Sequence, residues 1–132
     1  MTKRGEAMAF ERKTFTCLVD VSVDDDLSAA VALGEYQPLC LASPATLEAN
    51  TERLLFHVSL DGTTYNILKD KDGTIYAVTV AATNTNKATN LDPAVFAGWR
   101  YVKIGTYQSD ESTAVSQTAD RTLYIGAGKV VW

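Results

Sequence analysis

The sequence predicts an all-β chain folded as an antiparallel β-sandwich or barrel. Three observations carry this: several short runs in which apolar and polar residues alternate, turn signals between them, and no apolar period long enough for an ordinary helix. Its 132 residues suit one domain, and 46% hydrophobic with 21% charged residues is the balance of a globular protein rather than a disordered one. The expected division is a flexible N-terminal arm over residues 1–12 and a single sandwich domain over residues 13–132.

The arm is assigned because residues 1–12 mix charge with little apolar periodicity around Gly5. The first strand follows, with Phe15, Cys17, Val19, Val21 and Val23 on one face, and the acidic run Asp24, Asp25, Asp26 closes it. Residues 28–33 and 37–43 form two more short β-like runs, the second interrupted by Pro38, which favours an edge or the start of a strand. Ser43 and Pro44 read as the N-cap and first residue of a helical turn over residues 44–49. Leu54, Phe56, Val58 and Leu60 share one strand face, and Leu55, His57 and Ser59 share the other.

Asp61-Gly62 is a strong hairpin signal, because a type I′ turn needs positive φ at both central residues. A second turn at residues 70–73 leads into a strand over residues 74–80. Residues 81–90 are polar and read as a loop, with a short strand near residues 88–91. Asp92, Pro93 and Gly98 supply a cap, a first residue and a stop for one further helical turn. Residues 99–106 form a strand with Val102 and Ile104 on one face, residues 108–112 an exposed turn, and residues 121–125 the last strand.

Composition narrows the functions. A formal net charge of −4 argues against a phosphate backbone as partner, and no apolar run is long enough to span a bilayer, so neither nucleic acid nor membrane is expected. Synthesis in the cytoplasm is the default expectation. Two cysteines and one histidine cannot make the usual four-ligand zinc site. Cys17 and Cys40 read first as free buried thiols, a bridge between them being the alternative. A hydrolytic triad has only His57 as a base, and its strand position places it on the solvent side or in a contact surface. Asp70 and Asp72 do not begin an EF-hand, because Ile75 stands where Gly is required, so they and Asp24 to Asp26 read as solvated turns. No glycine-rich phosphate loop precedes a helix. Trp99, Tyr101, Tyr107 and Tyr124 could stack sugars or bases, but strand aromatics serve more often as core or cross-strand packing. No catalytic residue, metal or cofactor is therefore expected.

Two resemblances add to this reading. Residues 56–65, Phe-His-Val-Ser-Leu-Asp-Gly-Thr-Thr-Tyr, with Trp99-Arg100-Tyr101-Val102-Lys103-Ile104, resemble two strand pairs of discoidin-like jelly rolls, which implies a jelly-roll sandwich. More widely, the order Ser43-Pro44-Ala45, Leu55 to Gly62, Asp72-Gly73-Thr74, Leu91-Asp92-Pro93 and Gln117 to Leu123 resembles small virion proteins of tailed bacteriophages, some of them head decoration or cement proteins. That resemblance implies a homo-oligomer on the capsid exterior whose partner is the major capsid protein. Another virion position (tail, neck or head fibre) and a carbohydrate-binding jelly-roll module are the alternatives. The candidate partner-binding residues are Lys3, Arg4, Phe10 and Arg12 of the arm, with Tyr36, Tyr107 and Trp132 as aromatic anchors in turns or at the terminus.

Overall fold

The computed structural model describes residues 9–44, 46–81 and 86–131. Among these residues nine strands and one helical turn follow in order: β1 Ala9–Val19, β2 Val31–Ala32, β3 Gln37–Ala42, β4 Arg53–Ser59, β5 Asn66–Ile67, β6 Ala77–Thr79, β7 Ala88–Asn90, α1 Pro93–Phe96, β8 Tyr101–Tyr107 and β9 Arg121–Val131. They form an antiparallel all-β sandwich. One sheet runs β1-β9-β3-β7 and the other β2-β8-β4-β5, with β6 also on β4. The pairings are nested: β1 with β9, β2 with β8, β3 with β7, and β4 with β5. The chain is thus one long hairpin, rolled so that β3 also meets β9 and β4 also meets β8.

Alternation decides what is buried. Phe15, Cys17 and Val19 of β1 meet Leu54, Phe56 and Val58 of β4, Val102 and Ile104 of β8, and Leu123 and Ile125 of β9 in one core. Phe96 seals one end, edge-on to Phe56 with ring centroids 5.0 Å apart. It is delivered by α1, where the Asp92 carboxylate accepts from the Ala94 amide and Pro93 opens the turn, as the sequence predicts.

Several expectations are corrected. Strand β1 begins at Ala9, so residues 9–12, assigned to the arm, are fully paired with β9; residues 1–8 lie outside the described residues. Val23 leaves the predicted strand face and is 82% exposed, because the chain turns at Asp20, whose carbonyl accepts from the Val23 and Asp24 amides. Among the described residues no helix forms over residues 46–49. The Ser43 hydroxyl instead accepts from the Lys87 amide at 2.9 Å, tying two loops together. Pro38, by contrast, is the second residue of β3, at the start of the strand as expected, where β7 does not reach it and the register with β9 shifts between Pro38 and Cys40.

The Asp61-Gly62 turn is also of another kind. Of the two residues only Gly62 has positive φ, +82°, and six residues separate β4 from β5. Asp61 works through its side chain: Oδ1 accepts from the Thr63 and Thr64 amides at 2.8 and 2.9 Å and from the Ser59 hydroxyl at 2.9 Å. Those donors hold its carboxyl far below the ordinary carboxylate range.

Strand β9 runs six residues beyond the predicted end at Ile125. Gly126 and Gly128, beyond the predicted strand, mark close approach: a Cβ on Gly126 would stand 2.5 Å from Cys40 Sγ, and one on Gly128 would overlap the Phe10 ring.

Candidate functional site

At one end of the sandwich the first turns of β1, the end of β9 and the turn after β2 converge. Side chains of Glu11 and Lys13 point to the core side of the sheet here, where the second sheet no longer covers them, and both are exposed. Tyr36 fills the step. Its amide donates to Leu33, its ring stands edge-on to Phe15 with centroids 6.0 Å apart, and its hydroxyl donates to Glu11 Oε1 at 2.8 Å. Lys129 pairs with Glu11 at 3.5 Å and lies 4.9 Å from the Tyr36 ring centroid, with Lys13 at 5.5 Å. The shared hydrogen bond lowers the pKa of Glu11 and raises that of Tyr36, so this contact is a carboxylate held by a neutral phenol.

Beside Tyr36 a hollow of about 450 Å³ opens between the β2–β3 turn and the segment entering β8, lined by Tyr36, Gln37, Phe96, Trp99, Arg100 and Tyr101. Tyr101 is held in place by Gly62, where a Cβ would stand 3.3 Å from the ring. The hollow thus joins half-buried aromatic faces to an exposed guanidinium.

The opposite face of the four-stranded sheet carries Phe10 and Arg12. Phe10 is opposite Val130, both about half exposed, and the Arg12 guanidinium carbon lies 5.6 Å from the Phe10 ring centroid. Along that face β9 contributes Tyr124, Gly126 and Gly128, and β3 contributes Cys40 and Ala42, so small side chains leave a shallow trough between larger ones.

Tyr107 belongs elsewhere. It ends β8, roughly 20 Å of strand from Tyr101. Rather than standing free in a turn, it is half-buried against His57, hydroxyl to Nε2 at 3.0 Å with rings 6.0 Å apart and nearly parallel. His57 is correspondingly not on open solvent: burial, then the Lys103 charge, lowers its pKa and favours the neutral ring.

Nearby, Asp24, Asp25 and Asp26 bring carboxylate oxygens within 4.8 Å of one another. Burial, then Asp24 and the charge of Asp25, pushes the Asp26 carboxyl up to about 6. The backbone of this turn is fixed by the Gln117 amide on Asp25 O and the Thr106 amide on Asp26 O.

Both cysteines are free. Cys17 is buried as expected, and burial pushes its thiol up to about 12. Cys40 is exposed, contrary to expectation, because β3 turns Leu41 and not Cys40 to the core. The two thiols lie on opposite faces of one sheet, which rules out a bridge.

Of the predicted partner-binding residues, Phe10, Arg12 and Tyr36 lie at one end of the sandwich, Phe10 and Arg12 on the outer face of the four-stranded sheet and Tyr36 on its core side, and Tyr107 lies elsewhere; Lys3, Arg4 and Trp132 lie outside the described residues. Trp99, Tyr101, Tyr107 and Tyr124 do not form one aromatic platform, since Trp99 and Tyr101 line the hollow, Tyr107 packs on His57 and Tyr124 faces outward on the other sheet. Glu11, Lys129 and Arg100 were missed as parts of this end. Only the pairing of β1 with β9 brings Glu11 to Lys129, and no local pattern encodes it.

No protein-family model matches the chain, and no curated protein matches it in sequence. Among solved structures it is similar in fold to the crystal structure of the SPBc2 prophage-derived protein YomS, at 15% identity and a TM-score of 0.53, over 92% of this chain and 96% of that one.

Proposed function

We propose that the chain is a structural protein of a tailed-phage particle, a capsid decoration (cement) protein of jelly-roll type that binds and stabilises the major capsid lattice on the virion exterior. The observation that carries this is the likeness in fold to a prophage-derived protein across nearly the whole of both chains. The jelly-roll part is supported by the nested pairing of β1 with β9, β2 with β8, β3 with β7 and β4 with β5. Non-enzymatic work is favoured by how the polar groups are employed: the single histidine is packed against Tyr107, and Asp61, Asp70 and Asp110 all accept from turn amides. In this reading the contact residues are Phe10, Arg12 and Tyr36, backed by the Glu11–Lys129 pair. Weak contacts repeated over many lattice positions add up through effective concentration, so no single deep pocket is required.

A second reading is favoured by the hollow beside Trp99 and Tyr101: aromatic faces next to Arg100 suit a sugar ring and its hydroxyls. One experiment separates the two. The purified chain is mixed with capsids of its own phage assembled without it, and saturable binding at a fixed ratio to the major subunit, with greater resistance to heat or osmotic shock, is expected. Sedimentation apart from those capsids together with tight binding on a glycan array would replace this reading with the carbohydrate one.

A further inference from the structure

We infer that two copies of this chain pair edge to edge through β1, antiparallel about a two-fold axis at Thr14, joining their four-stranded sheets into one. The edges of the two sheets are of unequal length. β2, β5 and β7 span two, two and three residues, whereas β1 presents eleven. Proteins commonly keep edges short or covered, because an open edge is a row of unpaired donors and acceptors that another chain can complete.

The direction of those groups follows from one hydrogen bond. The Leu18 carbonyl accepts from the Ala29 amide at 2.9 Å, so Leu18 directs its backbone away from β9. In an antiparallel ladder alternate residues do the same, which places the N–H and C=O of Phe10, Arg12, Thr14 and Thr16 on the open side. Among the described residues nothing pairs with them there. Ala29 covers the edge only at Leu18.

Charge, together with the Leu18 carbonyl already taken by Ala29, selects the register, since an axis at Phe15 or Thr16 would leave fewer open-side residues paired. A two-fold axis at residue 11, 12 or 13 would set Glu11, Arg12 or Lys13 directly opposite its own copy, and like charges facing across strands are destabilising. An axis at Thr14 avoids all three. It places Thr14 opposite Thr14, Arg12 opposite Thr16 and Phe10 opposite Leu18 on the outer face. On the other face Lys13 lies opposite Phe15, against whose ring its ammonium already rests at 5.1 Å within the chain. All residues with open-side groups from 12 to 16 then exchange about six backbone hydrogen bonds across the axis. The half-exposed Phe10 gains an apolar neighbour at each end of the ribbon. The pairing concerns the isolated chain and stands or falls separately from the virion reading.

Sedimentation of the purified full chain over a range of concentrations tests it, with Thr14→Lys and Thr14→Glu variants. Thr14 is exposed on the outer face, so neither change reaches the core. Wild type is expected to pass to twice the 14.3 kDa of one chain as concentration rises. Each variant alone should associate at least ten times more weakly, and an equimolar mixture should recover the dimer through Lys opposite Glu. A wild type that stays monomeric throughout overturns the inference and leaves Arg12 and Lys13 as guards of the edge. So does a dimer that both variants leave unchanged. Should a variant fail to fold, Thr14→Cys in a Cys40→Ser background decides: directly opposed residues are about 5.5 Å apart at Cα, within reach of a disulfide. Oxidation should cross-link Thr14→Cys and not Arg12→Cys in that background, and failure of Thr14→Cys to cross-link overturns the pairing.

Discussion

Gly105 lies beneath the ring of Tyr107: a Cβ at residue 105 would stand 2.7 Å from Tyr107 Cε1 and 3.2 Å from His57 Nε2. Gly105 is therefore what allows the phenol to fold back onto the imidazole instead of standing in solvent. Gly105→Ala should cost about 1–3 kcal/mol by overpacking and break the contact between Tyr107 and His57. Urea melts measure the first effect and the histidine titration the second, since a less buried ring should titrate higher than in wild type even with Lys103 still beside it. An unchanged melt and titration together would mean that the ring has room to move.

Gly62 has a double reason to be glycine, with φ at +82° and Tyr101 3.3 Å from its missing Cβ. Gly62→Val is expected to destabilise the fold by about 1 kcal/mol or more, as a β-branched residue is forced into the left-handed region. A thermal melt is the check. An unchanged midpoint would show that this loop adopts another path at little cost.

The two thiols should react differently. Cys40 is exposed and Cys17 is buried with its pKa pushed up to about 12, so a thiol reagent should modify one cysteine in the native protein and both in denaturant. Two fast native reactions, or none, would contradict the assignment of their faces.

Asp26 should make stability depend on pH in the sense opposite to Asp61. Its pKa is raised to about 6 in the folded state against about 4 unfolded. Its contribution is therefore fully present below pH ~4 and is lost as pH rises through about 6. Asp26→Asn cannot ionise, so it should melt higher than wild type at pH 7 and coincide with it near pH 4. The difference between the two melts isolates this carboxyl from Asp61 and Asp110, whose lowered pKa values make stability fall on acidification. Equal melts at both pH values would remove Asp26 as the source.

What the sequence determined by itself was whatever rests on neighbours along the chain. Alternation at Phe15-Cys17-Val19, Leu54-Phe56-Val58 and Val102-Ile104 named the core faces, because a strand's side chains change sides at every residue whatever the fold. Asp92-Pro93 named its helical turn, since a cap needs only the amides two or three residues on. Tertiary structure decided the rest, and it did so where a residue's meaning depends on a strand remote in sequence. The predicted last strand stops at Ile125, and only Cys40 and Phe10 laid across Gly126 and Gly128 show why glycines continue it. Residues 9–12 look like a loose arm until β9 pairs with them over its whole length. Glu11, Tyr36 and Lys129 carry no local signature, because their meeting is set by the outermost turn of the rolled hairpin. Nested pairing sets β1 beside β9, the two strands farthest apart in sequence, so the contacts made there were the part least legible in the order of residues.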